Sequence, residues 1–311
     1  MKGIVGLATE LALAGIGILA LATLMPQATF AAPAIALKAS FDGTNGRYPY
    51  AALTPDGHGK FFGTTRGNSS DSFGTIFEFD PSGSGSITLK ASFNRPSGIG
   101  PYAALTPDGN GKFFGTNREN VSYGFGTIFE FDPSGSGSVI IKASFDGTNG
   151  INPFAALTPA GNGKYFGTTV QGGVDGLGTI FEFDPSGNGS ITLKASFDGP
   201  NGRHPLAALT PAGNGKFFGT TEGGGMNNLG TIFEFDPSGN GSITLKASFD
   251  GTNGYGPHAP LTPAGNGKYF GTTVGGVNHI GTIFEFDPSG NGSITLKPAL
   301  MAQAGPTPSR R

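Results

Sequence analysis

The heptapeptide GTIFEFD occurs five times, beginning at Gly74, Gly126, Gly178, Gly230 and Gly281. The intervals are 52, 52, 52 and 51 residues (126−74, 178−126, 230−178, 281−230). A period near 50 residues builds a chain from stacked supersecondary units, so the fold has to be read one repeat at a time. Positions that never change between copies serve the architecture. Chemistry is left to the few positions that do change.

Residues 153–197 make a type unit. PFAALTPAG is a short apolar run ending in a turn, KYFGTT (164–169) is aromatic and Thr-rich, GTIFEFD (178–184) is the strongest strand, and SITLKASF (190–197) alternates. Clusters of Gly, Pro, Asn and Ser bound all four, which are the signals of short strands joined by hairpins. Within GTIFEFD, Ile180 faces one side and Phe181 and Phe183 the other, as a sheet covered on both faces requires. Outside the N-terminal segment no window sustains a helical period. The predicted fold is all-β: a β-propeller with five blades of four antiparallel strands, lettered a to d from the axis outward. An open β-repeat array or a solenoid is the alternative, and the short PSGNG turn between c and d favours local hairpins over solenoid rungs.

Formal net charge is −2, which gives phosphate backbones nothing to hold and argues against nucleic acid as a partner. Cysteine is absent, which removes disulfides, thiolate nucleophiles and Cys-based zinc sites. The first 31 residues read as a secretory signal peptide. Lys2 gives a positive start, Leu11 to Met25 is apolar throughout, and Thr29 and Ala31 suit the small positions before a cut at Ala32. A retained anchor is the rival reading, but the apolar core is shorter than the ~20 residues a spanning helix needs. The chain then divides into the signal peptide at 1–31, the repeat domain at 35–300 and a disordered tail at 301–311. With the leader removed no transmembrane anchor is expected.

KYFGTTVQGGVDGLGTIFEFDPSG, at 164–187, combines an aromatic-GTT, a GG loop, a G-T-hydrophobic-F strand and a P-x-G turn. In this it resembles the GloVer tandem repeat, and all five units, roughly 49–297, share the pattern. The resemblance implies an exported bacterial protein placed at the cell surface by a C-terminal sorting signal, which PTPSRR does not supply. It implies no activity.

Most repeated polar residues read as structural. Glu78, Glu130, Glu182, Glu234 and Glu285 sit mid-strand in c, with lysines on strands b (Lys60 to Lys268) and d (Lys90 to Lys297). Cross-strand ion pairs are expected between each Glu and both neighbours. DPSGNG, from Asp184, Asp236 and Asp287, echoes the start of a calcium loop. The bidentate Glu at position 12 is replaced by Ala195, Ala247 and Pro298, so the motif reads first as a hairpin turn and no cofactor is expected. No helix follows the Gly-rich stretches, so they are not phosphate loops. His58, His204, His258 and His279 occupy four different repeat positions without metal-ligand spacing.

Two segments vary between copies. The d-to-a link reads GRYPY, GIGPY, GINPF, GRHPL and GYGPH. The b-to-c loop reads RGNSSDSF, RENVSYGF, VQGGVDGL, EGGGMNNL and VGGVNHI. Because successive strands alternate direction, both emerge at one end of the sheets, and loops on a rigid scaffold are where binding residues sit. Tyr48, Tyr50, Tyr102, Phe154, His204, Tyr255 and His258 are the candidate ligand-binding residues, expected to ring a central opening. Aromatic rings with polar tips suit an extracellular glycan or a protein ligand, although neutral drift in permissive loops explains the variation equally well. The expected function is an exported surface or matrix protein that binds a carbohydrate-like polymer or protein partner without catalysis. The alternative is a glycoside hydrolase or lyase, which needs two acids. The unassigned acids on this face are Asp71, Glu119, Asp175 and Glu222.

Strand d occurs six times. Ile35 to Phe41 (IALKASF) is an extra copy ahead of the first repeat, and the last copy reads ITLKPAL from Ile294 to Leu300. The two compete for the outer edge of blade five. The tight turn before the C-terminal copy favours the local hairpin, leaving Ile35 to Phe41 as an added edge strand or a loosely held arm.

Overall fold

The structure is a computed structural model and describes residues 36–67, 73–94, 96–119, 124–135 and 137–296. The leader, its predicted cut at Ala32, and the tail at 301–311 lie outside these residues. The chain divides into two compact units, Met1–Leu37 and Lys38–Arg311, and the repeats lie in the second.

Each repeat forms one four-stranded antiparallel sheet in the order a-b-c-d, five in all. In the third, strand a is Thr158–Pro159, b is Tyr165–Gln171, c is Thr179–Asp184 and d is Ser190–Ser196. Tyr165 pairs with Phe183 and Phe181 with Leu193, with a bulge between Ile180 and Phe181. Strand a is far shorter than the apolar run PFAAL suggested. Pro159 offers no N–H to the ladder and the PAG turn follows at once, so only two residues pair. This sheet carries an extra strand, Ile151–Pro153, paired to the far end of b.

The glycine inside each FGT motif has a steric reason. A Cβ on Gly167 would strike the ring of Phe181, its partner on strand c. Phe181 and Phe183 are thereby buried on one face while Ile180 is buried on the other. We call these the leading and trailing faces. The trailing face of one blade packs on the leading face of the next, and four apolar clusters fill the four junctions between consecutive blades. The first cluster joins Phe62, Ile76 and Phe93 to Leu105, Phe113, Phe129 and Phe131.

Polar groups repeat across these junctions as regularly. At the first, Thr54 Oγ1 donates to the Leu105 carbonyl at 2.8 Å and Thr64 Oγ1 to the Ala103 carbonyl at 2.9 Å. The Gly100 amide donates to the Phe73 carbonyl at 3.2 Å and Lys90 Nζ to the Gly135 carbonyl at 3.0 Å. The same four bonds recur at the other three junctions. The glycine that opens GTIFEFD is required here too, because the proline ring of the next blade lies where its Cβ would be: Pro101 on Gly74, Pro153 on Gly126, Pro205 on Gly178 and Pro257 on Gly230.

Strand-d lysines therefore reach the next blade's turn. Among the described residues Glu78, Glu130, Glu182 and Glu234 are held by strand b alone. Lys60 Nζ lies 2.8 Å from Glu78 and 3.6 Å from Asp80, and this strand-b pairing repeats in every blade. The expected pairing of Glu with both neighbours is corrected on the d side in blades one to four; Lys297 of blade five lies outside the described residues. Each Asp that opens the PSG turn also accepts from the serine two residues on, as Asp80 does from the Ser82 amide at 2.9 Å. Hydrogen bonds from Ser82, and then Lys60, hold its carboxyl below the usual value.

Blades five and one do not close a ring. Ile283 is 58% exposed where Ile76, Ile128, Ile180 and Ile232 are fully buried. Leu53 is 43% exposed where Leu105, Leu157, Leu209 and Leu261 are buried. On closure the structure follows the open-array alternative rather than the ring. The local hairpin holds the edge of blade five, with strand d at Ser293–Leu296. Residues 38–41 of the N-terminal copy of strand d lie instead at the leading face of blade one. Phe41 packs edge-on to Phe77 with ring centroids 4.9 Å apart, and the Lys38 carbonyl lies against Gly85 as the Lys90 carbonyl lies against Gly137. Residues 36–41 are not in strand conformation, and Ile35 lies outside the described residues.

Candidate binding face

The two variable segments are bonded to each other, which sequence did not reveal. Arg47 pairs with Gly67, Ile99 with Glu119, Arg203 with Gly223 and Tyr255 with Gly275. One residue further on, the link turns through the left-handed region in all five repeats: Tyr48 (φ 59), Gly100 (φ 68), Asn152 (φ 58), His204 (φ 55) and Gly256 (φ 62). That conformation is costly for Tyr and His. In the first repeat it lets the Tyr48 carbonyl accept from the Arg66 amide at 3.1 Å. In the fourth, the His204 carbonyl accepts from the Glu222 amide at 3.1 Å.

The contacts of the candidate residues fall into two groups. In blades one to three, Tyr50, Tyr102 and Phe154 occupy equivalent positions and form a row. Tyr50 and Tyr102 are 5.5 Å apart between centroids, and Tyr102 and Phe154 are stacked at 4.5 Å. Arg66 lies 5.5 Å and Arg118 6.0 Å from the Tyr102 centroid, each within cation–π range. Tyr48 and Tyr50 are each 62% exposed.

In blades four and five, Glu222 sits between two histidines. His204 Nδ1 is 3.8 Å from one carboxylate oxygen and His258 Nε2 is 3.4 Å from the other. Nearby, Tyr255 Oη and His279 Nδ1 are 3.2 Å apart. An open cleft of about 390 Å³ here is lined by Arg203, His204, Glu222, Asn228 and Tyr255. Arg203 Nε is buried there without a hydrogen-bond partner.

Of the acids noted above, Glu119 lies 3.8 Å from Arg118, Asp175 is exposed, and Asp71 is outside the described residues. Sequence reasoning missed Arg66, Arg118 and Arg203, and also the exposed tips Val174, Met226 and Val277. Reading the b-to-c loops in register would have shown those three tips as one column. Among the described residues no three His, Cys, Asp or Glu are grouped as metal ligands, and no helix is long and apolar enough to cross a membrane.

The sequence profile of the Gloeobacter/Verrucomicrobia repeat matches residues 25–166 and 108–310. No curated protein matches the chain. Solved structures with a similar fold include a putative 6-phosphogluconolactonase from Bacteroides uniformis, at 16% identity and TM-score 0.50, covering 80% of this chain and 70% of that one. A hypothetical selenium-binding protein from Sulfolobus tokodaii matches at 12% identity and TM-score 0.54, covering 77% of this chain and 63% of that one. The likeness to both is one of fold.

Proposed function

We propose, from the premise that the chain belongs to the Gloeobacter/Verrucomicrobia repeat family, that it is an exported protein whose variable-loop face binds an extracellular polymer, with a carbohydrate-like chain as the first candidate and a protein partner as the second. The observation that carries this reading is the row Tyr50–Tyr102–Phe154, which crosses three blades with Arg66 and Arg118 over its middle ring. A row spanning consecutive blades suits an extended ligand laid across them. Tyr102 has its ring covered by neighbours, so it offers an edge and a hydroxyl, while Tyr48 and Tyr50 offer open rings. The arginines favour a polymer bearing carboxylates or sulfates.

The glycosidase alternative needs two carboxylates flanking one bond. Glu222 is engaged with two histidines and Glu119 with an arginine, so no described pair stands ready. A glycan array combined with a hydrolysis screen tests both readings on one preparation. Binding of an acidic polysaccharide that weakens at least about tenfold in Tyr50→Ala and Arg66→Ala, with the melting temperature unchanged and no products released, supports the proposal. Product release abolished by Glu222→Gln would replace it with the enzyme reading. Export is tested separately: the mature protein should begin near Ala32 by mass spectrometry.

A further inference from the structure

We propose that the trailing face of blade five and the leading face of blade one are the two halves of a head-to-tail interface between copies of this chain. The inference is independent of the ligand reading. Its basis is that these two faces carry the residues that meet four times inside the molecule. Ile283 repeats Ile76, Ile128, Ile180 and Ile232, and Leu53 repeats Leu105, Leu157, Leu209 and Leu261. The internal copies are buried against each other, while Ile283 and Leu53 stand open.

The polar pattern is left incomplete in the same way. Thr262 and Thr272 repeat Thr54 and Thr64, but both are exposed, and neither hydroxyl has a hydrogen bond among the described residues. Their equivalents always donate to carbonyls of the next blade, and the matching carbonyls here belong to Leu53 and Ala51. Ile280, equivalent to Leu229, is also exposed. Leu229 accepts from the Gly256 amide, and the corresponding donor is the Tyr48 amide. The atoms nearest Gly281 belong to Thr273 and Val274, where its equivalents meet the next blade's proline. Pro49 is the proline left for that place.

The strand edges complement one another as well. Residues 298–300 read Pro-Ala-Leu where the other copies of strand d read Ala-Ser-Phe. Residues 39–41, beside blade one, supply Ala-Ser-Phe, and Phe41 already sits on Phe77 as Phe93 sits on Phe129. Joining trailing to leading faces is a heterologous contact, so it propagates in one direction or closes into a ring of copies.

The test uses the purified full chain and two surface variants, Ile283→Glu and Leu53→Arg, with sedimentation and melting temperature as readouts. The wild type should associate with concentration. Each variant should remain monomeric, with association weakened about thirtyfold or more, and melt as the wild-type monomer does. Mixing them should give a one-to-one dimer that grows no further, because each variant retains the half the other lacks. A wild type that stays monomeric at every concentration overturns the proposal. So does either variant dimerising alone, which would mean like faces meet. An Ile283→Glu chain destabilised as severely as Ile180→Glu would show that the face is covered within its own chain, and that also overturns it.

Discussion

Ile180 and Ile283 stand at the same place in the same heptapeptide, yet one is sealed between two blades and the other faces outward. The strands around them are alike: Phe181 and Phe284 are both buried, and both blades carry the Lys–Glu–Asp pairing. The difference teaches that a repeat of this kind encodes two kinds of stability. One is internal to the sheet and is present in every copy. The other belongs to the junction and exists only where a following blade arrives.

The largest effect that separates the two is loss of apolar bulk. Ile180→Ala should cost about 2–5 kcal/mol, since it leaves a cavity between blades, whereas Ile283→Ala should cost less than about 1 kcal/mol in the monomer. Denaturant melts of both variants measure this directly, and equal losses would break the comparison.

Acid should act on the other kind of stability. Asp80, Asp132, Asp184, Asp236 and Asp287 all have carboxyls held below the usual value, by hydrogen bonds from the turn serine first and by the strand-b lysine after. A depressed carboxyl stabilises the fold above its unfolded value, near 3.8, and that contribution is lost as pH falls through the folded value. The corresponding lysines are raised above 10.5, so their contribution is complete below that pH and lost as pH rises past the folded value. Stability should therefore be flat from about pH 5 to 9 and fall below pH 4. Because the pattern is the same in all five blades, Asp287→Asn and Asp184→Asn should flatten the acid limb equally.

Much of this was legible in the chain. The period placed strands b, c and d, and the alternation of Ile180 against Phe181 and Phe183 placed both faces. Three things were not legible, each for a physical reason. Strand a shrank because Thr-Pro ends a ladder that the apolar run before it appeared to promise. The strand-d lysines changed partner because a neighbouring blade's carbonyl is invisible to reasoning within one repeat. The candidate residues split into an aromatic–arginine row and a His–Glu–His group because neighbours such as Arg66 and Glu222 lie on a different loop, and the pairing of those loops is a tertiary fact.

Smaller effects sharpen the comparison. Thr158→Val removes a junction hydrogen bond of 2.9 Å and should cost about 1 kcal/mol, while Thr262→Val should be close to neutral. Thermal melts of the pair distinguish a bond from mere side-chain chemistry. Blade two carries Asn117 where the other blades have threonine bonded to the facing threonine at 2.7 Å. Asn117 Oδ1 is buried without a partner. Asn117→Thr should raise stability by about 0.5–1.5 kcal/mol by removing that orphan, a small rise in melting temperature.

The most direct test of an open fifth junction uses the absence of native cysteine. Spin labels can be placed on the exposed turn serines, one pair at Ser186 and Ser238 in adjacent blades three and four, the other at Ser289 and Ser82 in blades five and one. Measured by pulsed dipolar spectroscopy on labelled chain diluted in unlabelled chain, the first pair should give the short distance of packed neighbours. The second should give a clearly longer one. Matching distance distributions for the two pairs would mean that blade five packs on blade one within the same molecule, and would contradict the account.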